Sequence, residues 1–149
     1  IHSIKSQLGK LVVNHVTKHV KTNLPKGIAV TTHRFTASDP TCSIQSGEFG
    51  LRYNVLSRDK PDNPFPKDHY CIHGNQFRDK LDFCSSTLHI NVWKDDEIVA
   101  TSRYVDGKHE LLEMEAFGWC PLRKKLPDLG DNIIESCRVV GSSTIRGSA

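Results

Sequence analysis

The sequence contains no Cys-x-x-Cys pair, although it holds five cysteines, Cys42, Cys71, Cys84, Cys120 and Cys137. An odd, scattered set of this kind argues against a zinc ribbon and a disulfide framework, and points to a reducing, cytoplasmic compartment. Long apolar runs are missing as well. The opening "IHSIKSQLGKLVVNHVTKHV" is broken by Lys and His every few positions, which excludes a signal-peptide core and a membrane span there. Nor is there a block of like charge. The 20 basic and 17 acidic residues are mixed, so a net charge of +3 offers no stripe to follow a phosphate backbone, and nucleic acid is not an expected partner. No internal repeat or low-complexity segment occurs. The chain has no initiating Met, and "GSSTIRGSA" stops inside a glycine turn. A chain trimmed at both ends is the expectation.

What is present fits one soluble globular domain spanning residues 1–149, with 37% hydrophobic and 25% charged residues. Ile4, Leu8, Leu11, Val12, Val16 and Val20 recur at helical spacing. They predict an extra N-terminal helix within residues 1–27, broken by Pro25 and Gly27. Its apolar stripe reads as core packing or a lid, with a lipid-facing surface and peripheral membrane contact as the sharper alternative. "IAVTTHRFT" at 28–36 is rich in β-branched residues and reads as a strand. Ser38 or Asp39 then caps a helix carrying Ile44, Leu51 and Val55.

Residues 59–76, with three prolines, read as a long loop. The clearest element is an antiparallel hairpin at 87–105, in which alternating runs flank Asp95 and Asp96. Residues 108–131 read as irregular or partly helical, and "NIIESCRVV" at 132–140 as the last strand. The plan is α+β with a largely antiparallel sheet. The hairpin is expected between the strand at 28–36 and that at 132–140, with Arg103 and Glu135 on one face.

Four charged pieces occur in order: "LRYNVL" with Arg52, "RDKLD" with Asp79 and Asp82, "IVATSRY" with Arg103, and "IIESCRVV" with Glu135 and Arg138. Read without further context, Arg103 and Glu135 are a structural ion pair or charges on a solvated strand face, and the two aspartates cap a loop. His15 with His19, and His69 and His73 around Cys71, are possible metal ligands. The first pair lacks a motif glutamate and the second set a clear fourth ligand, so no metal is expected.

Taken together, the Arg-led helix, the Asp-x-x-Asp pair, "ATSR" and "ESCR" resemble the acyl-homoserine lactone (autoinducer) synthases and N-acyl amino acid synthases of the GNAT acyltransferase superfamily. The resemblance covers residues 28–149. It implies a GNAT-like fold, a central antiparallel sheet flanked by helices, with the C-terminal portion missing from this chain. It also implies transfer of a fatty acyl group from acyl carrier protein or acyl-CoA to an amino-acid-like amine. No cofactor would be tightly bound, since the acyl-phosphopantetheine thioester is itself the donor.

The site residues that follow from it are Glu135 and the backbone near Val139 and Val140 for catalysis, and Arg52, Asp79, Asp82, Arg103 and Arg138 for the amine and its carboxylate. Arg146, Gly147, Ser148 and Ala149 would open the turn that holds the donor phosphates. The chemistry is consistent, because acyl transfer needs a positioned neutral amine and hydrogen-bond donors for the oxyanion. The alternative is a catalytically silent GNAT-like module that binds an acyl carrier or partner protein.

Overall fold

A computed structural model of the chain describes residues 24–57, 71, 72 and 75–143. The expected first helix and the donor turn at 146–149 lie outside these residues, as does most of the long loop. Strand β1 (Ile28–His33) is followed by helix α1 (Ser43–Arg52), which continues as a π turn over Tyr53–Ser57. Two short strands, β2 (Cys71–Ile72) and β3 (Phe77–Arg78), pair with each other at the end of the segment expected as loop. The hairpin strands are β4 (Leu88–Lys94) and β5 (Glu97–Asp106). Helices α2 (Glu113–Ala116) and α3 (Leu122–Lys125) lie in the excursion before β6 (Ile134–Gly141).

The main sheet has four strands in the order β1-β4-β5-β6, each neighbouring pair antiparallel. The hairpin therefore sits between the first and last strands, as expected. Asp95, in the left-handed region at φ 55, takes the tight turn. Among the described residues no helix is long and apolar enough to cross a membrane.

Helix α1 begins later than expected, with Cys42 at the N-cap instead of Ser38 or Asp39. The Asp39 carboxylate is already used, since it accepts from the Thr41 amide at 2.9 Å and the Thr41 hydroxyl at 2.6 Å. Such a local turn competes with capping.

Register fixes which side chains share a face. Across the strands run the row Thr31, Asn91, Thr101, Val140 and the row His33, His89, Arg103, Cys137. Directly paired residues point to the same side, and this side lies under α1. It is unusually polar for a buried sheet face: His89, Asn91 and Arg103 are all 0% exposed. The apolar core gathers around it. Phe49 packs edge-on against Phe35 and Phe83, at 6.0 and 5.9 Å between ring centres. Leu81, Val105 and Phe117 form a second cluster, with Cys84, Ala116 and Cys137 against it.

The excursion is clasped by Arg123. Its guanidinium donates to both Glu115 carboxylate oxygens and to the carbonyls of Gly107 and Glu110. Gly107 cannot carry a side chain here, because a Cβ would lie 2.8 Å from the Ile133 carbonyl. Hydrogen bonding by Arg123 draws the Glu115 carboxyl down from 4.5 to about 2. A depressed carboxyl stabilises the fold above its unfolded value, and that contribution is lost as pH falls through the folded one. Glu115→Gln is therefore expected to be less stable than the parent at pH 6, with the gap closing as pH falls from about 4.5 toward 2. Urea denaturation across that range measures it, and a pH-independent gap would show the clasp is not ionic.

Candidate active site

The side of the sheet under α1 gathers charges from six elements. Arg52 comes from the end of α1, Asp79 and Asp82 from the 3-10 turn at Lys80–Phe83, Arg103 from β5, Glu113 from α2 and Arg138 from β6. Glu48 of α1 and His89 of β4 join them. Asp79 and Asp82 form a reciprocal capping box: the Leu81 amide donates to Asp79 at 2.9 Å, and the Asp79 amide to Asp82 at 2.8 Å. Capping holds both carboxylates toward the sheet.

The arginines fill these carboxylates. Arg52 donates to both Asp82 oxygens at 2.8 and 2.9 Å, and to Glu48 Oε2 at 2.9 Å. Arg103 donates to Asp79 at 2.6 Å, Asp82 at 3.0 Å, Glu113 at 3.1 Å and the Cys137 sulfur at 3.3 Å. Arg138 donates to Asp79 Oδ2 at 2.8 Å and lies 3.5 Å from Glu113 Oε1. Aromatic faces cover the cations, with Phe49 5.2 Å from Arg52 and Phe77 4.9 Å from Arg138. Burial alone would raise the Asp82 carboxyl, but Arg52 and Arg103 beside it hold it well below the usual carboxylate range. Burial has the upper hand at the Cys137 thiol, pushed up to about 12, which leaves it an inert thiol instead of a nucleophile.

Arg138 reaches this side because β6 bulges. Thr101 pairs with Val140 and Arg103 with Cys137, so Ser102 alone opposes both Arg138 and Val139. Arg138 takes the left-handed conformation at φ 52, which turns two successive side chains, Cys137 and Arg138, toward α1. Val139 faces away, 68% exposed, and Val140 returns to the interior. Beyond β6 there is no further strand among the described residues, so part of its amide row has no ladder partner there.

Glu135 lies at the rim of the cluster, with a carboxylate oxygen within 4.8 Å of the Glu113 carboxylate and the Cys137 sulfur. It lies on the Arg103 face, as expected from alternation, yet the two form no ion pair. Its carboxylate accepts from the Glu113 amide at 2.5 Å and the Met114 amide at 3.4 Å, at the start of α2. Half-burial raises its carboxyl above the ordinary value, against the lowering pull of those amides.

The structure thus brings Arg52, Asp79, Asp82, Arg103 and Arg138 into one contact set. Where the sequence reading has them receiving an amine and its carboxylate, their donors and acceptors are directed at one another, and all are at most 6% exposed. Glu48, His89 and Glu113 were absent from that reading. Glu48 had a signal, its i,i+4 spacing to Arg52. Glu113 had none, lying in an excursion without periodicity.

Glu48, Asp82 and His89 place ligand-type atoms within 4.8 Å of one another. Those of Glu48 and Asp82 already accept from arginine, so a guanidinium holds the place a metal ion would need. The side chains of His15, His19, His69, Cys71 and His73 lie outside the described residues.

No protein-family model and no curated protein matches the chain. Among solved structures, the crystal structure of the AHL synthase LasI is similar, with a TM-score of 0.50 over 78% of this chain and 16% identity. The match spans 54% of that protein's length. It establishes the fold class: the sheet and its flanking helices are GNAT-like.

Proposed function

We propose that the chain is part of an N-acyltransferase that moves a fatty acyl group from a thioester, on acyl carrier protein or CoA, to an amino-acid-like amine. The observation that carries this reading is Glu135. It is a half-buried carboxylate with a raised proton affinity, in no direct ion pair although the Arg103 charge acts on it, on a strand whose bulge lies three residues further on. A base poised in this way takes a proton from the substrate ammonium, and the neutral amine so formed attacks the thioester carbonyl and displaces the thiol. Amides of β6 near Val139 and Val140 are assigned to the oxyanion that forms there.

In this reading the buried cluster acts as the frame. Asp79 ties Arg103 to Arg138, and so fixes the bulge relative to β5. Arg146, Gly147, Ser148 and Ala149 are assigned to the donor phosphates, since backbone amides among small residues suit them. The resemblance in the charged motifs and the GNAT-like fold support the reading together.

The test is release of free thiol from long-chain acyl-CoA and acyl carrier protein by the full-length protein, against a panel of amino acids. Amine-dependent release with an N-acyl product is expected. Saturable carrier binding without release would instead identify a silent binding module and overturn the enzyme.

A further inference from the structure

We infer that His89 is held as a doubly protonated imidazolium, the fourth cation of the buried cluster, and acts as a positioning residue for Glu48 and the Asp79–Asp82 turn. Its ring is 0% exposed. Nδ1 lies 2.6 Å from Glu48 Oε2 and Nε2 2.9 Å from the Asp82 carbonyl oxygen. A neutral imidazole has one N-H and one lone pair. Here both nitrogens face acceptors, so a single ring proton would leave a lone pair pressed against an oxygen. Turning the ring over puts carbons at both contacts and loses both bonds.

Placing the proton on Glu48 instead is the poorer arrangement. Its Oε2 also accepts from Arg52 at 2.9 Å, a charge-assisted contact that favours the carboxylate anion.

The groups facing the ring come from every side. Glu48 and Arg52 come from α1, Asp82 from the short turn, Arg103 and Thr101 from β5, and His33 from β1, with the Phe35 ring 4.2 Å away. Arg52 and Arg103 oppose the imidazolium, and the Glu48 contact and the carbonyl offset them. His33 adds no charge, because burial lowers its proton affinity. The Thr31 hydroxyl accepts from the Trp93 indole at 2.7 Å and has its own proton for His33 Nε2 at 2.8 Å.

The inference does not depend on acyl transfer, and its test reads the protein without substrate. Long-range proton–nitrogen correlation on histidine-labelled protein at pH 7.5 is expected to show two protonated ring nitrogens for His89, identified by their loss in His89→Gln and retention in His33→Gln. One protonated and one bare nitrogen would overturn it.

If His89→Gln does not fold, through-bond correlation from the His89 backbone assigns the ring in the parent protein, and the same two outcomes decide.

Discussion

Arg103→Ala is expected to destabilise the fold by about 3 to 5 kcal/mol, because removing one partner of a buried ion pair leaves the others as uncompensated buried charges. Here the loss is multiple. Asp79, Asp82 and Glu113 each lose a donor at 3.1 Å or closer. Lysine does not repair it, since a point charge cannot present the forked donors that meet three carboxylates and a sulfur at once. Urea denaturation with an unchanged slope measures the loss as a shift in midpoint. A cost below about 1 kcal/mol, the range of exposed pairs, would show that water reaches the cluster.

Glu135→Gln is expected to do the reverse, lowering activity far more than stability. The glutamine carbonyl still accepts from the Glu113 amide, so the start of α2 keeps its anchor. What disappears is the base, and general-base catalysis contributes roughly 10² to 10⁴-fold. The pH profile of the parent carries the same signature. Burial disfavours the Glu135 carboxylate, so the acid limb of kcat/KM lies above the ordinary glutamate value, and the rate rises with pH as the base deprotonates. Acyl transfer at the parent rate in Glu135→Gln would remove Glu135 from the chemistry and leave the frame without a catalyst.

The hairpin and the last strand are legible in the sequence because alternation is a property of the chain itself, and "TLHINVWKDDEIVATSRY" has it on both sides of its turn. The face shared by Arg103 and Glu135 follows from the same period of two. The state of the five charged residues does not follow. Motif spacing places Arg52, Asp79, Asp82, Arg103 and Arg138 near each other, but whether they hold a ligand or one another depends on how much water remains between α1 and the sheet. The bulge at Arg138 has no sequence signal either: a left-handed residue is usually Gly or Asn, and here ion pairs to Asp79 hold an arginine there. The cap at Cys42 was hidden because Asp39 looks like a cap and is taken by Thr41.

The mutual pairing of side chains in the cluster also limits how its sequence can drift. Changing any one of Arg52, Asp82, Arg103 or Asp79 strands a neighbour, whereas exchanging a whole buried pair for apolar residues of equal volume is often close to neutral. Each route from one stable version to another therefore passes through an intermediate that folds poorly. Elsewhere, at exposed Lys124 and Lys125 of α3 and in the 3-10 turn at Pro127–Leu129, where no residue is buried, single steps are cheap. Under such constraints one lineage can exchange most of its surface while these side chains stay fixed, and change inside the cluster arrives in compensated pairs.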